Sequence, residues 1–351
     1  MIVPRNVTVG LIADPGLPEQ VAEHLAGDLG RELARDFEGS ATWRIEISRG
    51  TLPLTAAGDI PLVEHAPRLL EDHGWDAVVY LTDLPRRHDT EPMLAEVGPE
   101  ARAALVSLPV LGAWRVTART RALLVPLIHS LMDRNEDAAA AVRAAGGTAE
   151  PTSSGSPRYL IRPSWMDRMR LLAGMVRNNR PGRLLAALSS TGAAGVGTGA
   201  FGIFYATIWT MADSLPPARL ALISVAVIMA LSFWLIFYNG MWTTDRGIDD
   251  QGNPWSDNAA TVITVLLSVA LMYVVLYLVL LGAALTIITT EYLTSQLHRP
   301  ASVLDHLRLT WLAASLGMMG GAIGSNFDSD QAIRAATYSR REQERRQRAT
   351  S

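Results

Sequence analysis

Polar side chains stand at or just after the ends of predicted strands in the first hundred residues. They are Asp14, Arg49, Thr82, Asp83, Arg86 and Arg87. In an open parallel sheet, ligands bind beyond the carboxyl ends of the strands, so these groups could hold a small polar or anionic ligand. The alternative is that they only cap neighbouring helices and turns, and the sequence favours this alternative.

The motifs that would turn this cluster into an enzyme are missing. The stretch VGLIADPGLP is not GxGxxG, and the chain has no GxSxG. All 31 basic residues are Arg, which excludes a P-loop lysine or a Schiff base, and there is no Cys for a thiolate nucleophile or zinc ligand. We therefore predict no cofactor and no metal. The sequence favours a non-enzymatic role, although a membrane-anchored enzyme that uses the strand-end cluster stays open.

The cluster lies in a segment with the pattern of an α/β domain. Apolar and β-branched runs predict strands at 6–14, 42–47, 76–82 and 102–108. Helical spacing of apolar residues predicts helices at 17–37, 61–74 and 117–135. The sequence thus predicts an α/β domain over residues 1–135, with about four strands and flanking helices. This domain holds 19 acidic residues against 13 Arg, which argues against nucleic acid as a partner.

Four uncharged apolar runs follow in the second half of the chain. They cover 184–212, 220–242, 259–290 and 309–325. Because a bilayer core of about 30 Å needs about 20 apolar residues in a helix, we predict an all-α transmembrane bundle of four helices over 184–325. The third run is longer than one crossing requires, so it is either one long helix or is broken near Gly282.

Arginines flank this bundle on both sides. Before it, residues 158–183 contain Arg158, Arg162, Arg168, Arg170, Arg177, Arg180 and Arg183, and the tail 326–351 holds six more. Arg is enriched on the cytoplasmic side of membrane proteins, so both termini are predicted to be cytoplasmic. We interpret 158–183 as a basic amphipathic helix that lies on anionic headgroups. Residues 136–157, rich in Gly, Ser and Ala, are predicted to be a flexible linker.

Glycines recur at four-residue spacing in two of the predicted spans. Gly195 and Gly199 form one such pair, and Gly317 and Gly321 form another. Small residues let helix backbones approach closely. The pattern predicts helix packing within the bundle, with self-association of the chain as the alternative.

Two resemblances concern the soluble half. The stretches YLTDLPRR and SLPVLG, with the Arg-rich segment, resemble uncharacterised multi-pass membrane proteins of high-GC, actinobacterial-type bacteria that carry an N-terminal cytosolic α/β domain. This resemblance implies a bacterial plasma-membrane location and no particular activity. The order VVYLTDLPRR, PMLAEVG, LLVPLIHSLMD also resembles a zincin-type α/β domain, where a strand, a hairpin edge strand and a helix lead to the zinc ligands. The HExxH motif is absent, since the helix supplies only His129, so a non-catalytic relative is implied.

The leading hypothesis is a membrane protein whose cytosolic domain binds a ligand or an unknown protein partner, in a sensing, regulatory or scaffolding role. A second hypothesis is transport of a neutral or lipidic substrate by an oligomeric bundle that the soluble domain regulates. The uncharged spans weigh against ion transport, because ion carriers keep ionisable groups on the path.

Overall fold

A computed structural model describes residues 6–36, 42–55, 58–88, 91–133, 148–149, 158–161, 164–179, 182, 188–242 and 254–324. The chain divides into two compact units. The first comprises residues 1–178, 245–257 and 341–351, and the second comprises residues 179–244 and 258–340. The predicted tail 326–351 lies outside the described residues.

The first unit is built on a mixed β-sheet with helices. Its strands are β1 (Asn6–Ala13), β2 (Thr42–Arg49), β3 (Ala77–Thr82), β4 (Arg87–His88), β5 (Glu91–Gly98), β6 (Ala103–Ser107), β7 (Thr148–Ala149) and β8 (Arg158–Ile161). Its helices are α1 (Leu17–Asp36), α2 (Leu62–His73), α3 (Val116–Asp133) and α4 (Trp165–Asn178), with a 3-10 turn at Leu108–Leu111.

The sheet runs in the order β2-β1-β3-β6-β5-β8-β7, and β4 pairs with β5. The first four strands in this order are mutually parallel, whereas β5 runs antiparallel to β6 and β8. These four are the strands that the sequence predicts. The strands β1, β3 and β6 read as apolar runs because central strands of a parallel sheet are buried on both faces, and every residue of β3 is buried. The strand β2 lies at the edge of the sheet and alternates polar and apolar residues.

The predicted count of about four strands is too low. The strand β5 carries a proline and two glutamates, and β7 and β8 span only two and four residues, so none of the three gives a clear alternating pattern. Since β7 and β8 come after residue 135, the first unit extends through part of the predicted linker and of the predicted membrane-surface segment. The zincin-like order also needs correction, because β5 has β8 on its outer side and is not an edge strand.

Residues 158–183 do not form one amphipathic helix. Arg158–Ile161 is strand β8, and α4 begins at Trp165. Leu171 and Met175 of α4 are buried, and a Cβ on Gly174 would lie 2.1 Å from the carbonyl oxygen of Pro109. The apolar side of α4 therefore packs on the first unit. The opposite side still exposes large apolar side chains, namely Trp165, Met166 and Met169.

The second unit is helical and has its own apolar core. Its helices are α5 (Ser189–Phe204), α6 (Ala206–Ser214), α7 (Pro217–Tyr238), α8 (Pro254–Ile287), α9 (Thr290–Leu297) and α10 (Val303–Gly324). The helix α8 is continuous through Gly282, so the third apolar run is one long helix rather than a broken one. Its first residues, up to Asp257, belong to the first unit.

Two helices of the described chain, rather than the four predicted, are long and apolar enough to cross a membrane. They are Pro217–Tyr238 in α7 and Trp255–Ile287 in α8. The run 184–212 is divided at Tyr205, whose extended backbone separates α5 from α6. Residues 309–324 of the fourth run belong to α10, which begins in a polar stretch containing Asp305, His306 and Arg308.

The predicted glycine pairs lie in the contact between α5 and α10. A Cβ on Gly317 would lie 2.5 Å from the carbonyl oxygen of Gly195 and 3.1 Å from the Cα of Gly199. A Cβ on Gly321 would lie 2.7 Å from the carbonyl oxygen of Thr191. Any larger residue would force the two helices apart, so these glycines serve packing within one chain.

Candidate functional site

The Asp14 carboxylate ties the carboxyl ends of two strands together. It is fully buried, and it accepts hydrogen bonds from the hydroxyl of Tyr80 at 2.5 Å and that of Thr82 at 2.7 Å. The backbone N–H of Asp83 also lies 3.3 Å from it. Both hydroxyl donors come from β3, which pairs with β1. These bonds fasten β1 to β3, so Asp14 and Thr82 hold the strand ends in place.

Three other predicted ligand-binding residues are engaged in contacts within the first unit. Arg49 is exposed, and its guanidinium pairs with Glu19 and Glu23 of α1, both at 2.7 Å. The hydrogen bond that Arg49 donates to Glu23, together with the charge of Glu19, raises the pKa of Arg49 above its ordinary value. The carbonyl of Asp83 accepts from the amide of Asn178 at 3.0 Å, and Arg87 donates to the hydroxyl of Ser256.

Arg86 is the predicted residue that faces a polar cluster. It is 8% exposed, and its backbone N–H donates to the hydroxyl of Ser107 at 3.3 Å. Its guanidinium donates to the carbonyl of Gly58 at 2.8 Å and to the carboxylate of Asp59. The remaining Nε–H is buried and has no partner among the described residues. A buried donor without a partner costs about 1–3 kcal/mol, so a ligand acceptor there would be favourable.

Glu96 lies on strand β5, inside the sheet, and is near Arg86. Its register partners are Leu105 on β6 and Tyr159 on β8, and directly paired residues point to the same face of a sheet. Glu96 is half-buried, and burial raises the pKa of its carboxyl above the ordinary 4.5, against the opposing charge of Arg86. Within the described part of the chain its carboxylate has no hydrogen bond. It is a second group that a ligand could engage.

Two rings complete what we call the Arg86 cluster: Arg86, Asp59, Glu96, His88 and Tyr159. The rings of His88 and Tyr159 stack with their centroids 4.1 Å apart. Burial, and then the charges of Glu96 and Asp59, raise the pKa of the Tyr159 hydroxyl. The charges of Asp59, Arg86 and His88 in turn act on the carboxyl of Glu96.

The cluster offers donors and acceptors rather than a metal site. No group of three or more His, Cys, Asp or Glu residues that could hold a metal ion occurs in the described ranges. His129, the only histidine of the zincin-like helix, lies in α3 with its ring 6.4 Å from that of Trp43. The Arg86 cluster is chemically suited to a small molecule that both donates and accepts hydrogen bonds.

Sequence reasoning found Arg86 but missed its neighbours. One signal was available for Glu96, because it is the only charged residue between Met93 and Gly98, a run that is otherwise buried. Tyr159 was hidden in the segment interpreted as a membrane-surface helix. Asp59 gave no signal, because it stands alone in its stretch of sequence. His88 directly follows Arg86 and Arg87, and this adjacency was the available signal.

The arginines predicted to touch lipid headgroups have mixed placements. Arg168 pairs with Glu91 at 2.6 Å, and Arg170 pairs with Asp167 at 2.9 Å. Arg177 is exposed near the end of α4. Arg162, Arg180 and Arg183 lie outside the described residues, as does the side chain of Arg158. Contact with anionic lipids stays a prediction.

Comparison of the chain with models of protein families, with curated proteins and with solved structures finds no match.

Proposed function

We propose that the chain is an integral protein of a bacterial plasma membrane whose first unit acts in the cytoplasm as a non-enzymatic binding module for a small polar ligand. Two separate features support this proposal. The apolar surface of α7 and α8 supports the membrane location, and the Arg86 cluster supports the binding role.

The surface of α7 and α8 is the observation that carries the membrane location. In each helix only 39% of the most apolar 18-residue stretch is buried, whereas a core helix of a soluble protein would be mostly buried. The exposed side chains include Leu222, Phe233 and Phe237 on α7, and Leu267, Leu278 and Leu285 on α8. Leaving each such side chain in water forgoes about 1.5–3 kcal/mol. A bilayer removes this cost.

The lengths of the two helices agree with membrane crossing. At about 1.5 Å per residue, the 22 residues of α7 span about 33 Å, close to the thickness of a hydrocarbon core. The helix α8 is longer, so it would tilt or extend beyond the hydrocarbon. Two crossings, like any even number, place both ends of the chain on the same side.

The arginines set the proposed orientation. Residues 158–183 and the tail 326–351 are both rich in Arg, which favours the cytoplasmic side for both. The exposed side of α4 adds support, because Trp165 and Met169 stand beside Arg168 there. Apolar rings and basic groups on one helix face suit the inner headgroup layer.

The proposed binding role rests on two groups of the Arg86 cluster, the Nε–H of Arg86 and the carboxylate of Glu96. A ligand with a carboxylate or carbonyl would accept from the Arg86 Nε–H, and an ammonium or hydroxyl on the same ligand would donate to Glu96. Amino acids and hydroxy acids carry both kinds of group. The bonds of Asp14, by contrast, are satisfied within the protein and make the joined ends of β1 and β3 rigid.

Reporter fusions test the membrane location and the orientation. A reporter active only in the cytoplasm and one active only outside would each be fused to the N-terminus and to the C-terminus of the full chain. We expect the cytoplasmic reporter to be active at both ends, and the protein to stay with membranes after a carbonate wash. Release by carbonate, or activity of the external reporter at either end, would refute this part of the proposal.

Thermal-shift measurements on the purified full chain test the binding role. A panel of amino acids and hydroxy acids would be screened against the wild type, Glu96→Gln and Glu100→Gln, where Glu100 is an exposed acid in the turn after β5. We expect a probe that stabilises the wild type and Glu100→Gln, but not Glu96→Gln. A stabilising probe whose effect survives in Glu96→Gln would place the ligand elsewhere.

A further inference from the structure

The helical unit contains an uncharged hydrogen-bond network among α7, α8 and α10. The hydroxyl of Tyr273 on α8 lies 2.9 Å from those of Ser224 on α7 and Ser315 on α10. The indole N–H of Trp311 donates to the Ser224 hydroxyl at 2.7 Å. Within this network the polar groups satisfy one another, so it can remain in an apolar surrounding.

A groove of about 420 Å³ opens beside this network. Ser224, Tyr273 and Trp311 contribute its polar part, while Val225 and Val274 line it with apolar surface. These valines are 57% and 50% exposed, so they stand at the mouth of the groove. The volume is within the range of small-molecule sites.

Tyr277 provides a polar group that an occupant could use. Its ring lines the groove, and its hydroxyl lies 3.5 Å from the carbonyl of Leu307, at the outer limit of a hydrogen bond. A bond this long is weak, so the hydroxyl can turn to an occupant at little cost. The donors of Ser224 and Trp311 are already used inside the protein.

From these features we infer that the groove binds an uncharged lipid with a hydroxyl-bearing head, of the diacylglycerol type, which enters sideways from the bilayer. The residues that line the groove include no Asp, Glu, Arg or His, so a phosphate headgroup would lose its hydration without gaining a cationic partner. A hydroxyl-and-ester head can exchange hydrogen bonds with Tyr277, and acyl chains match the valines.

The neighbourhood of the mouth favours a lipid over a water-borne molecule. Leu222, one turn from Val225, is 67% exposed, and Leu278, one turn from Val274, is 58% exposed. The groove therefore opens onto the apolar surface of α7 and α8. This step rests on the proposed membrane location of that surface.

Photolabelling of the full chain in phosphatidylcholine nanodiscs tests the inference. The probe is a diacylglycerol with a diazirine on one acyl chain, and a matched diazirine phosphatidylcholine and phosphatidylglycerol serve as comparison lipids. We expect the diacylglycerol to label peptides of α7 and α8, and unlabelled diacylglycerol to compete. Equal labelling of these peptides by all three lipids would show ordinary boundary lipid and overturn the inference.

Two exposed positions on α7 provide a matched pair of variants. Val225→Trp fills the mouth of the groove, whereas Leu222→Trp adds the same ring to a position outside it. We expect the first to lower diacylglycerol labelling about tenfold and the second to leave it unchanged. Labelling retained by Val225→Trp, or lost equally in both variants, would contradict the site.

A gentler variant guards against misfolding. Tyr277→Phe keeps the ring and removes one hydroxyl, so loss of one hydrogen bond should weaken labelling about fivefold; unchanged labelling would remove Tyr277 from the site. A chain that sediments with membranes but is not labelled would overturn the groove alone. A chain that does not enter membranes would overturn the proposed function itself.

Discussion

The two units place apolar and polar side chains in opposite ways. In the first unit the whole of β3 is buried, while charged residues such as Arg49 and Glu23 pair at the surface. In the second unit α7 and α8 expose large apolar side chains, and hydroxyl groups are turned inward. Thr264 and Ser268 are fully buried, and each donates to a backbone carbonyl one turn earlier on α8.

Under the proposed membrane location, this difference means that each unit suits its own solvent. In water, folding is driven by apolar burial, and surface charges cost little. In hydrocarbon an apolar surface costs nothing, whereas every polar group needs a partner inside the protein. The hydroxyls of Thr264, Ser268 and Tyr273 on α8 have such partners, in its own backbone or in the network described above. The same substitution should therefore have different effects in the two units.

The largest contrast is expected from arginine at an exposed apolar position. Leu278→Arg on α8 should reduce membrane insertion by about 2.5–3.5 kcal/mol, because a charge near the centre of a bilayer loses its hydration. Trp114→Arg, at a residue 76% exposed in the first unit, should stay within about 0.5 kcal/mol. The amount of carbonate-resistant protein measures both. If Leu278→Arg accumulates in membranes like the wild type, α8 does not face lipid there.

A buried polar anchor should matter most in the first unit. Asp14→Ala removes the acceptor for two buried hydroxyls, so we expect the free energy of unfolding to fall by about 2–3 kcal/mol. Asp72→Ala, at an exposed acid of α2, should be nearly neutral. Urea unfolding of the full chain in detergent compares them. Equal midpoints for the two variants would mean that Asp14 does not fasten β1 to β3.

Close helix packing should be the sensitive feature of the second unit. Gly317→Ala places a methyl group 2.5 Å from the Gly195 carbonyl, and the necessary shift should lower stability by about 1–2 kcal/mol. A methyl group on Gly192 of α5 meets nothing within 4 Å, so Gly192→Ala should be neutral or slightly stabilising. Melting temperatures in detergent test the pair. If only Gly192→Ala lowered the melting temperature, Gly317 would not be the close contact between α5 and α10.

Features within one stretch of sequence were predictable, and features that depend on neighbours in space were not. The apolar runs of β1 and β3 reveal central parallel strands, and the uncharged runs reveal the long helices. Nothing in the stretch FGIFYATIW marks the break at Tyr205, since it has no proline and its one glycine precedes the break. That break is why one predicted span became two helices.

The Arg86 cluster shows the same limit for the site. Its members are drawn from residue 59 to residue 159, and Glu96 meets Tyr159 only because β8 adds to β5. A four-residue strand after a low-complexity stretch carries too little pattern to predict that pairing. Arg86 was recognisable because it follows a strong strand directly.

The smallest effect we predict is a pH dependence that isolates Glu96. Because burial raises the pKa of this carboxyl above 4.5 in the folded chain, the folded state holds its proton to higher pH than the unfolded state does. Stability from this group is complete below pH 4.5 and declines as pH rises through the folded pKa. Glu96→Gln has no charge to bury, so it should gain stability relative to the wild type over that rise.

Urea midpoints of the full chain, measured from pH 4 to pH 8, test this prediction, with Glu100→Gln as the control that should follow the wild type. If Glu96→Gln becomes more stable than the wild type as pH rises, the cost of burying the Glu96 charge outweighs its attraction to Arg86. A loss at neutral pH would instead show that Glu96 is held mainly as the ionic partner of Arg86. In that case the Glu96 carboxylate would be a structural anchor like that of Asp14. The first unit would then contain no carboxylate of the Arg86 cluster that is left available to a ligand.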